Sequence, residues 1–283
     1  MTITPHPSAS APVAHPSPAV GVVQRSRRDD IASIPTAVHS EWIKATSLRS
    51  NVTILVLTPV IGVALSWIMA TFVKIDPDTD LPFTVGETFI FSTWLTAVLA
   101  AILGTLTFTS EVQHGTMATA VAAQPVRWVT VASKTTVAAS CGLAMGILGM
   151  IGGLSGAILG GLAKGDTSAM ASTALWGLVL TTLAPVLGLG VGMILRHSAA
   201  AVSTLLVWAF VLENIARNLV PVSTTRYLPF SAASGVLGLT TPNDTPESLA
   251  AALTPFQNAV LFGGYAFALL AIGTTLFSRR DAD

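Results

Sequence analysis

Charge is what this sequence has least of. Only 10% of its 283 residues are Asp, Glu, Lys or Arg, against about 25% in an average soluble domain. A chain of that length cannot cover a water-facing surface with so few charges. Lipid removes the difficulty, because there the outward side chains should be apolar. Cysteine is nearly absent too: Cys141 stands alone, so no intrachain disulfide can form. The five histidines (His6, His15, His39, His114, His197) are scattered without metal-ligand spacing, which argues against a metal site. Net charge is zero, so nothing draws the chain toward nucleic acid. No Gly-x-x-x-x-Gly-Lys-Ser/Thr loop occurs, and the lysines (44, 74, 134, 164) lack that context. The chain therefore lacks the usual cradle for nucleotide phosphates.

What it does have is long apolar runs, with 52% of residues hydrophobic. Roughly 20 apolar residues at about 1.5 Å rise cross a hydrocarbon core of about 30 Å. Six stretches meet that length: 52–73, 88–109, 135–162, 173–195, 198–219 and 256–277. The expected fold is an all-α integral membrane protein with six transmembrane helices. Residues 1–32 are expected to be a disordered cytoplasmic tail, Pro-rich and lacking the apolar core of a secretory signal. Residues 33–283 form the membrane domain.

Lys and Arg set the orientation. With the amino terminus inside, ten of them fall in inner segments and four (Lys74, Lys164, Arg217, Arg226) in outer ones. Both termini are thus expected in the cytoplasm, in a multi-pass protein of the cell membrane.

Six glycines in the third span (Gly142, Gly146, Gly149, Gly153, Gly156, Gly160) alternate spacings of four and three. This keeps them on one helix face, where they permit close helix packing. Gly188 and Gly192 repeat the theme in the fourth span. Pro59 and Pro185 are expected to bend the first and fourth spans. Glu213 and Arg217, four apart in the fifth span, are expected to form an outer ion pair.

Before the first span, Val38, Trp42, Ala45 and Leu48 share one helical face, with Glu41, Lys44 and Ser47 away from it. This predicts an amphipathic helix on the inner membrane surface. After the second span, residues 110–127 predict a short helix with Met117, Ala118 and Val121 on one side, stopped by Pro125. Such an element suits a partner's groove, and an ordinary connector fits the periodicity equally well.

The order of these pieces resembles the permease subunits of ABC-2 type ABC transporters, especially bacterial exporters. The Glu-x-x-x-Gly-Thr pattern is carried by Glu111, Gly115 and Thr116, followed by Pro125, Arg127 and Lys134. Leu195-Arg-His-Ser198 resembles the family's Arg-x-Ser turn, and Leu228-Pro-Phe-Ser-Ala232 its outer Leu-Pro segment. The likeness runs from about Ser40 to Arg280 and leaves out the Pro-rich start. It implies a non-enzymatic transport subunit that works as a pair, with a second copy or a related permease. A separate cytoplasmic ABC ATPase would hold ATP and Mg. Glu111, His114, Gly115, Thr116, Met117 and Val121 would form the coupling loop to it. Glu111 would either meet a basic residue of that ATPase or cap the connecting helix. An ion-coupled secondary transporter and a non-transporting membrane scaffold are the alternatives. The first four spans carry no acidic residue for a coupling ion, and no span holds a catalytic constellation.

Overall fold

The computed structural model describes residues 27–72, 85–124, 126–162, 167–239, 246, 250 and 252–280. Among these residues the chain is helical and contains no strand. In chain order the helices are α1 (Arg27–Ser47), α2 (Arg49–Phe72), α3 (Val85–Gln113), α4 (Met117–Ala123), α5 (Arg127–Leu159) and α6 (Thr167–Leu195). There follow α7 (Ser198–Val207), a π turn (Trp208–Leu212), α8 (Glu213–Leu219), α9 (Val222–Thr225), α10 (Pro229–Val236) and α11 (Pro255–Arg280). Six helical stretches are long and apolar enough to cross a membrane: α2, α3, α5, α6, α11 and the combined run α7–π–α8. Helix α1 already begins at Arg27, so the end of the expected tail is helical, and residues 1–26 lie outside the described residues. Pro125 and the two outer lysines at 74 and 164 lie outside them as well.

Helices α3, α5 and α6 form the interior. About the most apolar window of each, 61% of α3 and 67% of α6 is buried, against 17% of α2. The difference places α2 on the rim, and its exposed Val56, Val60 and Trp67 suit a lipid-facing surface.

The α5 glycines explain how such a bundle closes without bulky side chains between its helices. A methyl at Gly142 or Gly146 would run into Thr181 of α6. One at Gly149 or Gly153 would strike Thr96 or Ser92 of α3. At Gly156 and Gly160 the obstacles are Val63 and Ala70 of α2. A single stripe thus serves three neighbours in turn, as small residues at a membrane helix interface permit.

Pro59 and Pro185 both sit at such contacts, and α2 and α6 run through them. The Pro185 carbonyl faces Gly104 of α3 and its ring faces Gly142, while the Pro59 carbonyl faces Gly152. Gly188 lies against the Ala101 carbonyl, and Thr105 Oγ1 donates to the Gly188 carbonyl at 3.0 Å.

Candidate functional site

Six elements converge at one end of the bundle: α1, the end of α3, α4, the start of α5, the α6–α7 turn and the end of α11. Their meeting point is polar. Lys134, in the second turn of α5, is 2% exposed and lies 2.8 Å from Glu41 Oε2 of α1 and 2.8 Å from Glu111 Oε1 of α3. Lys44 of α1 approaches the same two carboxylates, at 2.7 Å from Glu41 and 3.3 Å from Glu111. Two cations and two anions make a neutral set, which is what allows so much charge to leave water. Residues 41, 111 and 134 are far apart in the chain, so the set fastens three helices together.

The spacing of Glu111, Gly115 and Thr116 has a backbone reason. The Thr116 amide donates to the Glu111 carbonyl at 3.0 Å, and the Gly115 amide to the Val112 carbonyl at 3.3 Å. These are the paired bonds of a Schellman helix end, whose left-handed residue is normally glycine. Gly115 has φ +69° with open space around it. Glu111 thus occupies the last turn of α3, where a carboxylate opposes the helix dipole. Lys134 and Lys44 compensate it. Gly115→Ala is expected to destabilise this turn by about 1–2 kcal/mol, through the left-handed backbone alone. Gly115→Asn should lose less, and chemical denaturation of the two variants compares them.

Helix α4 does not display its apolar side. Met117 and Val121 pack inward against a cluster of Phe108, Val131, Leu189, Met193 and Phe277. His114, Gly115, Thr116, Thr119 and Ala122 are exposed instead. The face expected to enter a partner's groove is therefore spent on the protein's own core, and a small, polar face remains. The expectation for α1 changes similarly. Trp42 and Ile43 are exposed, and Val38 and Leu48 are half-buried. Ala45 and Glu41 are both buried, because this side of α1 turns onto the protein.

Between α1 and α4 lies a cavity of about 870 Å³ open to solvent. Ser33, Ser40, Thr119, Lys44 and Glu111 are among the residues that line it. Gln124 Nε2 donates to Ser33 Oγ at 3.0 Å, joining α1 to the residue after α4.

Arg127 and Ser198 complete the arrangement. Arg127 Nη1 donates to the carbonyls of Phe277 and Ser278 at 2.7 and 3.1 Å, closing the end of α11. Its guanidinium also lies over the Phe277 ring. The Ser198 hydroxyl is 2.8 Å from both Thr109 Oγ1 and Gln113 Oε1, tying the α6–α7 turn to α3. Glu41 escaped the sequence reading as a buried partner. Its one local signal was Lys44 three residues on, and that pair alone reads as a solvated contact.

Burial pushes the Glu41 carboxyl up, but the ammonium groups of Lys134 and Lys44 outweigh this and hold it below its ordinary value. Partial burial lowers Lys44, and hydrogen bonding to Glu41 with the charges of Glu41 and Glu111 raises it further. The depressed Glu41 contributes stability above its unfolded value of 4.5. That contribution is lost as pH falls through the lower folded value. The raised Lys44 contributes below 10.5, and its contribution is lost as pH rises through the higher folded value. Thermal unfolding across pH is therefore expected to show an acid limb below about 4.5. Glu41→Gln should flatten that limb, and an unchanged limb would show that other carboxylates cause it.

The remaining pair sits at the opposite end of the bundle. Glu213 and Arg217 are not joined directly: Glu213 holds the start of α10, and Arg217 donates to the Ser231 hydroxyl that Glu213 also accepts from. Among the described residues no group of His, Cys, Asp and Glu is arranged to hold a metal. No protein-family model matches the chain, and no curated protein matches it either.

Proposed function

We propose that the chain is the membrane subunit of an ATP-driven exporter of the ABC-2 type, coupled to a separate cytoplasmic ATPase at the end where α1 and α4 meet. The observation that carries this reading is the Lys134 junction. A short exposed helix follows the second span through a glycine turn, and the glutamate opening that turn is bonded through Lys134 to α1 and α5. A push on α4 would reach three helices through buried charge rather than through a loose loop. The distribution of Lys and Arg supports a cytoplasmic position for this end. In this reading the permease carries no hydrolytic step, and two copies or two related chains enclose the path. The small outward face of α4 suits close contact with a protein surface, where Thr119 and Ala122 permit near approach.

Affinity purification of the tagged chain from its native membranes tests the proposal. An ABC ATPase is expected to co-purify in comparable amount and to be lost on Ala122→Arg, which crowds the exposed face of α4 at a residue outside the cavity that Lys44 and Glu111 line. An intact, folded chain that brings down no ATPase would refute it.

A further inference from the structure

The fifth apolar stretch contains a π turn, and the turn decides where its carboxylate points. An α-helix advances about 100° per residue, so a step of four overshoots a full turn by about 40°. The buried residues along this stretch are Ala201, Leu205, Ala209 and Glu213, each four after the last. In an unbroken α-helix, three such steps would swing Glu213 about 120° away from Ala201. The Glu213 amide instead bonds to the Trp208 carbonyl, five residues back. One residue is thereby inserted into the turn, which takes back about 100°. Glu213 returns to the inward face and is 2% exposed.

There it meets the free amides that open α10. Oε1 accepts from the Phe230 amide at 2.6 Å, and Oε2 from the Ser231 amide at 2.7 Å. The Ser231 hydroxyl at 2.9 Å and Trp208 Nε1 at 3.2 Å complete four hydrogen bonds. A helix start presents unpaired amides and a positive dipole end, both of which favour a carboxylate. Arg217 reaches Ser231 Oγ from one turn further along α8, at 3.0 and 3.1 Å. On its other side α10 is wedged into the bundle by Phe230, Ala232, Ala233 and Val236. Tyr265 of α11 donates to the Tyr227 carbonyl at 2.8 Å, just before α10 begins.

We propose that the π turn and the Glu213 carboxylate form a latch that keeps α10 seated in this end of the bundle, and that this end opens when the latch is released. Glu213 and Arg217 are the charged side chains that bond directly to α10 at its start. π turns are uncommon and are often found where a helix must re-aim a side chain or move. The latch requires no ATPase, so it stands or falls separately from the transport proposal.

The test uses the full chain in lipid nanodiscs with Cys141→Ala and Ala233→Cys, a position that is 2% exposed while α10 is seated. The readout is the labelling rate by a water-soluble maleimide. Glu213→Gln, which keeps one acceptor oxygen and turns the other into a donor, is expected to raise the rate about tenfold. Inserting one alanine after Val207 should raise it similarly with Glu213 still present, because the added residue turns the carboxylate about 100° off the inward face. Thr136→Ala, on the exposed side of α5, should leave it unchanged. Should Glu213→Gln not accumulate as folded protein, Ser231→Ala decides instead, with a rise of about threefold expected. An unchanged rate in the folded variants would overturn the latch. A rise with Glu213→Gln but none on inserting the alanine would overturn the role of the register that the π turn sets.

Discussion

Lys134→Ala is expected to lower the stability of the folded chain by about 3–5 kcal/mol, the usual result of removing one partner from a buried ion pair. The magnitude follows from what is left behind. Glu41 and Glu111 would keep two negative charges at side-chain exposures of 11% each, with only the half-exposed Lys44 beside them. One Glu111 oxygen already lacks a hydrogen-bond partner and is sealed from solvent, so that carboxylate has little reserve. Denaturant titration in mixed micelles measures the loss. The triple variant Lys134→Met, Glu41→Gln, Glu111→Gln removes the stranded charges along with the cation. It should recover much of the loss, because well-packed neutral groups often replace a buried pair at little penalty. A loss below about 1 kcal/mol for Lys134→Ala would place the network with exposed pairs and remove its mechanical role.

Gly188→Ala tests the other principal contact. The new methyl would fall on the Ala101 carbonyl, a backbone atom that cannot rotate aside. Helices α3 and α6 would have to separate, weakening the Thr105 hydroxyl bond to the Gly188 carbonyl. Overpacking of this kind typically destabilises by about 1–3 kcal/mol. Gly264→Ala is the matched control on α11, with nothing within 4 Å of the added methyl. It should be neutral or stabilising by up to about 1 kcal/mol, since alanine favours a helix interior over glycine. Equal effects at the two sites would mean that helix propensity, and not close packing, decides the response.

The spans were legible because twenty uncharged residues are a local signal, readable without knowing any neighbour. Residues 198–219 were placed to the residue, bounded by Arg196 and the polar outer segment. The third span was not: the expected start at 135 lies eight residues inside α5, which opens at Arg127. Lys134 and Arg127 made that segment look like loop. Their charges are tolerated in the helix because Glu41, Glu111 and the end of α11 receive them, and those partners lie far away in sequence. The Glu213–Arg217 expectation failed for a related reason. A spacing of four is a contact in a regular helix, but the competing partners, the amides of Phe230 and Ser231, come from a later helix. Nothing in the residues Trp208–Leu212 announces the π turn that aims Glu213 at them.

The glycine stripe of α5 has a mechanical meaning. Sliding α5 by a single residue, about 1.5 Å, would bring side chains such as Met145 and Met150 toward positions that neighbouring helices now fill at glycine. Turning it would do the same against α6, α3 and α2 at once, because the stripe meets each of them at a different height. These four helices are therefore keyed together and should shift as one block. Movement is left to the pieces the key does not engage: α4 at one end, and α8 with α10 at the other. The chain is built as a rigid keel with a working part at each end.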